Sequence, residues 1–542
     1  MKQNPIAAST RASLKCVKIM PTIRFLPRKG MNLSLRGMVA LLLRVVTLGC
    51  SFVLVFASNA VAASPVHSQV SVMEETQANI VGSTALATSD DGSIWISAWD
   101  TCNGNVSLLC RIKISSTRNG GVDWSKPIVA WTSPRPSLTT SAGGSLLQWK
   151  MVTSKDGESV SIAILSRNFD SAIPTHPSSL EWIVVATQDG GRHWSPGIVL
   201  ENRVFNPETE SNSILDLQGP PQISGSTNLK VQAVTWTDAH RLVDGTYFFD
   251  SLISVSHDGG NSWSQPQSLP NLSGERTYVS QGDFIAGTRS PTITISRDGS
   301  RMLSTWSNFG NAEILSTGSK DGGISWSTRV KLGEGYSWRI TADSELTQVS
   351  VMSGIFNGNV GLSFEHLGLT QSRDLGKSWT STKEVFLGGD GQYSLDSDRS
   401  SFTSEGKKLF LSAVSYTSLG GAKLWSTSSL DGGATWSNPI LQESGTVVFP
   451  LASFVSEDGV HILSVWWVID AARNEVVLTE RTNTNSLISS KRIVKQNPLS
   501  FLKIIYVKQS NLILFSDFVE KNGWSLEIQS VNRGDEFKSK KS

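Results

Sequence analysis

Seven side chains in this 542-residue chain belong to types that could carry chemistry on a sugar or a carboxylate: Arg241, Arg276, Arg339, Tyr278, Tyr393, Asp238 and Glu275. A guanidinium fork matches a carboxylate in two parallel hydrogen bonds, so three arginines could clamp an acidic substrate. Two carboxyl groups such as Asp238 and Glu275 could act as acid and base on a glycosidic bond. Nothing in their spacing compels either arrangement, and exposed loop arginines and tyrosines are more often simply solvated. The seven histidines are scattered singly. No nucleotide-binding glycine loop, His-Glu-x-x-His helix or Gly-x-Ser-x-Gly elbow is present. No cofactor or metal is expected.

The elements that would position these residues are read from a repeat. Six octapeptides share one pattern, with a hydroxyl residue first, an acid or amide third, glycine fifth and tryptophan eighth. They run Thr117–Trp124, Thr187–Trp194, Ser256–Trp263, Ser319–Trp326, Ser372–Trp379 and Ser429–Trp436, with the tryptophans 70, 69, 63, 53 and 57 residues apart. Recurrence at such a period marks an array of similar units. Tight-turn pairs followed by alternating strands precede the boxes at Asp91-Gly92, Asp156-Gly157, Thr227-Asn228, Asp298-Gly299, Asn357-Gly358 and Glu405-Gly406. Two more, Asp458-Gly459 and Ser510-Asn511, have no full box after them. Thr482–Asn485 keeps turn chemistry without glycine or tryptophan, and Ser530–Phe537 keeps the spacing with phenylalanine in place of tryptophan.

Each unit therefore reads strand A, tight turn, strand B, loop, strand C, box, strand D. The eighth unit runs out of chain before its fourth strand, while Val66–Glu74 precedes the first unit with no partner. Pairing the two closes a ring and protects both edges. The predicted fold is all-β: a single β-propeller of four-stranded antiparallel blades, eight favoured over seven, closed by an N-terminal strand.

The octapeptide resembles the Asp-box (BNR repeat) of the sialidase-like β-propellers, over nearly all of the chain after residue 64. The resemblance implies that the box sits at the C–D turn, on the face away from ligand. Asn119, Asp189, Asp258, Asp321, Asp374 and Asp431 would then bond turn N–H groups, and Trp124, Trp194, Trp263, Trp326, Trp379 and Trp436 would wedge against the neighbouring sheet. A row of calcium-binding aspartates is the competing reading, but one isolated carboxylate per turn cannot supply six oxygens.

Function would lie on the opposite face. The B–C loops are expected to carry Asp100, Asn168, Asp170, His176, Asp238, His240, Arg241, Asn308, Glu313, His366, Asp470 and Arg473. The D–A loops would carry Arg203, Glu208, Glu275, Arg276, Tyr278, Tyr336, Arg339, Tyr393 and Arg399. Trp99, Trp236, Trp306, Tyr416 and Trp467 close the second strands, as core packing or as platforms for sugar rings.

Sialidases implied by the resemblance use three arginines, a tyrosine nucleophile with a glutamate, and an aspartate acid/base. Their Arg-Ile-Pro stretch in the first blade has no counterpart here: no arginine occurs between Val45 and Cys110, and Ile23–Pro27 lies upstream of the apolar run. The expectation is a non-catalytic module that binds a glycan or a cell-surface protein. A divergent exo-sialidase-like glycoside hydrolase is the first alternative, and an extracytoplasmic assembly factor the second.

The first 73 residues hold no acid, and nine Lys or Arg occur by Arg44. Val45–Ala57 is apolar, and small residues follow in Ala-x-Ala register up to Ala63. This reads as residues 1–63 forming a basic leader and signal peptide, with Met31 an alternative start, ahead of a propeller at 64–542. The competing reading is an anchor spanning 38–57. Removing nine cations takes the formal charge from +2 to −7, so the whole-chain balance does not point to nucleic acid. Export would permit a Cys102–Cys110 disulfide across the Asn103-Gly104 turn, two reduced thiols being the alternative. The protein is expected outside the cytoplasm, monomeric, and on a membrane only through an uncleaved leader.

Overall fold

The computed structural model describes residues 69–75, 80–103, 109–133, 147–169, 177–204, 220–241, 247–269, 277–279, 291–308, 313–334, 338–355, 363–364, 366–385, 387, 392–394, 400–405, 407–416, 421–456, 460–470, 473–482, 487–494, 503–507, 512–520 and 524–532. These form eight antiparallel sheets. Blade 1 takes its strands A to D from Ile80–Thr88, Trp95–Asn103, Leu109–Thr117 and Ile128–Thr132. Blade 2 follows with Leu147–Thr153, Val160–Phe169, Pro177–Thr187 and Ile198–Val204, and blade 3 with Gln222–Gly225, Gln232–Arg241, Tyr247–Ser256 and Gln267–Ser268. Blade 4 is Thr292–Ile295, Met302–Asn308, Glu313–Ser319 and Val330–Glu334; blade 5 is Trp338–Ala342, Val349–Ile355, His366–Ser372 and Lys383–Val385. Blade 6 is Ser400–Glu405, Lys408–Tyr416, Ala422–Ser429 and Ile440–Gly445, and blade 7 is Val447–Val455, His461–Ile469, Asn474–Thr482 and Leu487–Val494.

Blade 8 draws on both ends of the chain. Lys503–Val507, Leu512–Glu520 and Trp524–Asn532 supply its A, B and C strands, and Gln69–Glu75 pairs antiparallel with the last of these. Strand A of blade 1 lies beside strand A of blade 8, so the array closes on itself. Among the described residues, closure sets blade 1 against blade 8, so neither presents a bare sheet face.

The apolar core lies between blades rather than within them. One cluster joins Ile96 and Ile112 of blade 1 to Leu147, Val160 and Ile183 of blade 2. The next joins Leu165 and Trp182 of blade 2 to Val234 and Trp236 of blade 3, with the two indoles stacked at 6.0 Å. The pattern continues through blades 3–4, 4–5, 5–6 and 6–7. Box tryptophans fill the rim of these layers, with Trp194 against the blade 1–2 cluster and Trp263 against the blade 2–3 cluster.

Three segments extend this plan, one of them Ser363–Phe364, which pairs with Tyr393 and Ser394. Thr277–Val279 pairs with strand C of blade 3 beyond the short D strand, and Gln392–Ser394 pairs with strand B of blade 6 above strand A. One turn was misplaced by the sequence. Blade 5 makes its A–B turn at 343–348, whereas Asn357-Gly358 falls between strands B and C, outside the described residues. The true turn has no glycine because Leu346 itself takes the left-handed conformation, at φ 52°. Asp343 compensates by accepting N–H bonds from Glu345, Thr347 and Gln348.

Candidate functional site

On the face that carries the A–B and C–D turns, the described turns are tied by their own hydrogen bonds. In the fourth box, Asp321 Oδ1 accepts from Ser319 Oγ at 2.7 Å and Ser325 N at 2.9 Å, while Oδ2 accepts from Ser325 Oγ at 2.5 Å. The Ser325 hydroxyl and N–H and the Ser319 hydroxyl hold its carboxyl down to about 2. Ser319 Oγ in turn accepts from Gly323 N at 2.8 Å. Asp189, Asp258, Asp374 and Asp431 repeat this pattern with one or two partners exchanged.

A second, shorter box stands in the A–B turns. Ser89, Ser154, Ser226 and Ser296 donate to Asp91, Asp156, Asn228 and Asp298 two residues on, and accept the N–H five residues on. A belt of backbone bonds then runs from turn to turn: Asp90 N to Lys155 O, Lys155 N to Thr227 O, Thr227 N to Arg297 O, and Arg297 N to Ser344 O, all at 2.7–2.9 Å. Box glycines join in, Gly120 N donating to Ser93 O and Gly190 N to Glu158 O. Both kinds of turn therefore share one face. It is scaffolding. This is the fold of an Asp-box β-propeller.

On the opposite face, most of the chemistry-bearing residues sit at strand ends rather than in loops. Asp100, Asn168, Asp238, Arg241 and Asn308 close B strands, His366 and Glu313 open C strands, and Arg203 lies in a D strand. Strand register explains this, since the alternating pattern continues past the apolar residues that mark it. Asp238 is 4% exposed and forms a buried ion pair with Arg203 of blade 2 at 2.7 Å, the same guanidinium bonding Ala239 O. One blade interface earlier, Asp100 is 2% exposed. Its Oδ1 accepts from Ser83 N at 2.6 Å and from Trp149 Nε1 of blade 2 at 2.9 Å. Burial pushes this carboxyl up to about 6, the two hydrogen bonds only partly opposing it.

The same motif of outer strand to next blade recurs twice. Trp236 Nε1 of blade 3 donates to Glu201 Oε2 of blade 2 at 2.8 Å. Arg473 of blade 7 binds Asp470 Oδ2 at 2.5 Å, Glu443 Oε1 of blade 6 at 3.0 Å and Ser444 O at 2.7 Å. Glu201, Glu443 and Trp149 were not singled out from sequence, and no local signal marks them, because each is defined only by a partner on the adjoining blade.

Of the catalytic candidates, Arg276 and Glu275 lie outside the described residues, and Arg241 and Tyr278 are placed by backbone alone, opposite Tyr247 and Phe248. Tyr393 is not a loop residue. It pairs with Ser415 in blade 6 and is 3% exposed, within the apolar cluster of Leu367, Leu387 and Phe402. Arg339 is likewise on a strand, strand A of blade 5 opposite Met352, and its Nη1 donates to Trp338 O at 3.3 Å. Of the strand-end aromatics, Trp99, Trp236 and Trp306 are buried core, while Tyr416 and Trp467 are half-buried. Cys102 and Cys110 face each other across strands B and C of blade 1 and are joined as a disulfide. Among the described residues no three His, Cys, Asp or Glu side chains gather as metal ligands.

No protein-family model matches the chain, and no curated protein does. Among solved structures, it is similar to the NanB sialidase of Streptococcus pneumoniae, at 12% identity over 88% of this chain and 72% of that one, TM-score 0.35. An α-L-arabinanase of Penicillium chrysogenum matches at 10% identity over 86% and 98%, TM-score 0.38. A prolyl endopeptidase matches at 12% identity and TM-score 0.38, and there this chain spans only 56% of the other's length. Likeness this distant concerns fold and carries no argument about chemistry.

Proposed function

We propose that this chain is a secreted or cell-surface propeller that binds a glycan or a protein on its B–C and D–A face without turning it over. One observation supports this above the others: where the side chains of the catalytic candidates are described, the scaffold holds them. Asp238 is locked to Arg203 between two blades, and Tyr393 is enclosed by apolar side chains. A glycosidase acid must reach the scissile oxygen and its nucleophile must reach the anomeric carbon, which neither buried group can do. A basic leader and a disulfide in blade 1 fit passage through an oxidising compartment.

The test is a glycan array run beside fluorogenic sialoside and a panel of aryl glycosides. Binding without turnover is the expected result. Turnover that disappears in Arg276→Ala or Tyr278→Phe would replace this reading with a sialidase-type hydrolase.

A further inference from the structure

Box 1 differs from the other five in the polarity of one bond. Those five have aspartate third and His193, Ser262, Ser325, Ser378 or Thr435 seventh. The seventh side chain meets the aspartate Oδ2 as its donor, as Ser262 Oγ does to Asp258 at 2.6 Å and Thr435 Oγ1 to Asp431 at 2.6 Å. Box 1 has Asn119 and Asp123 instead, and the bond runs the other way, from Asn119 Nδ2 to Asp123 Oδ2 at 3.0 Å. The contacts of Oδ1 match those of the aspartates, with Asn119 Oδ1 accepting from Asp123 N at 2.9 Å and Thr117 Oγ1 at 2.7 Å. The exchange of donor and acceptor is complete, and it places an asparagine directly before a glycine on an exposed turn.

We infer that Asn119 is a site of spontaneous deamidation, held intact while its box is closed and converted when the box opens. The Gly120 nitrogen attacks Asn119 Cγ, unhindered because glycine has no Cβ. A C–N bond forms, the Cγ–Nδ2 bond breaks, and ammonia leaves with the proton from Gly120 N. Water then opens the five-membered imide at either carbonyl, giving aspartate or isoaspartate. In the closed box Gly120 N–H donates to Ser93 O at 3.0 Å, and the amide is pinned at both ends by Asp123. The attacking nitrogen must release Ser93 and the amide must swing off Asp123, so only the locally opened fraction reacts.

The product does not close again in the same way, because a carboxylate would then face the carboxylate of Asp123. The damage reaches beyond one turn. Arg118, in the same box, chelates Glu158 of blade 2 at 2.6 and 2.5 Å and donates to Asp189 O at 2.9 Å, so loss of the turn loosens the tie between blades 1 and 2.

The full chain is incubated at mildly alkaline pH in native buffer and in urea, and peptides are mapped by mass for conversion at Asn119. Conversion in urea should exceed the native rate by about tenfold or more, since the closed box is protected. Asp123→Ala should raise the native rate. Equal rates in buffer and urea, or no conversion in urea, overturn the inference. Melting temperature supplies a second readout that does not depend on Asp123→Ala folding. Asn119→Asp should melt below the wild type, and the double variant N119D/D123S, which recreates the third and seventh residues of the third box, should recover the loss. An Asn119→Asp variant as stable as the wild type would show that facing carboxylates do not open the turn.

Discussion

Asp100 offers the sharpest test of how the blade 1–2 junction is held. Its carboxyl joins three strands through Ser83 N and Trp149 Nε1, and burial raises its pKa from 3.8 to about 6. Because the folded value lies above the unfolded one, the native state binds the proton more tightly between these pH values. Stability from this group is thus complete below about pH 4 and is lost as pH rises through about 6, a difference of about 3 kcal/mol. Asp100→Asn keeps an acceptor for both donors and cannot ionise. The variant should be more stable than the wild type at pH 7 by up to about 3 kcal/mol and equal to it near pH 4. Asp100→Ala should instead destabilise near pH 4, by about 1–3 kcal/mol for each donor left buried without a partner, and that loss should shrink by about 3 kcal/mol by pH 7. Urea unfolding followed by tryptophan fluorescence at half-unit pH steps measures all three proteins. A gap between wild type and Asp100→Asn that does not change from pH 4 to 7 would refute the reasoning.

Other perturbations bear on the remaining supports of the ring. Arg203→Met removes the guanidinium that meets buried Asp238, and urea unfolding should show a loss of about 3–5 kcal/mol, most of it recovered in the double variant R203M/D238L. Leu346→Gly removes left-handed strain worth about 1–2 kcal/mol but empties a site that is 1% exposed, so thermal melting should show a net loss. Asp321→Ala unties the C–D turn of blade 4 and should cost about 1–2 kcal/mol at pH 7. That cost should shrink as pH falls from about 4 through about 2, where the wild-type carboxyl is itself protonated, as acid titration of both proteins would reveal. Reducing Cys102–Cys110, eight residues apart, should lower stability by about 2–3 kcal/mol by calorimetry with and without reductant.

Much of the ring was legible because its signals are local. Asp321 finds its partners two and four residues away, so the box is a short-range code that survives without knowledge of the rest. The serines two residues before the Asp-Gly turns carried the same kind of code at Ser89, Ser154 and Ser296, and were available to the same reading. Blade 5 shows where local rules mislead. Asn357-Gly358 has stronger turn chemistry than 343–348, yet the packing of Leu346 into the blade 4–5 core makes a left-handed leucine tolerable and sets the turn there.

The sequence by itself determined the repeat and the positions of its boxes, because both follow from turn chemistry and spacing within a few residues. Tertiary structure alone decided which polar side chains are available for chemistry. Arg203 and Asp238 are 35 residues apart and Asp100 and Trp149 are 49 apart, on different blades. Whether such a residue faces ligand or locks a seam depends on how two twisted sheets meet, and no periodicity within one strand encodes that angle.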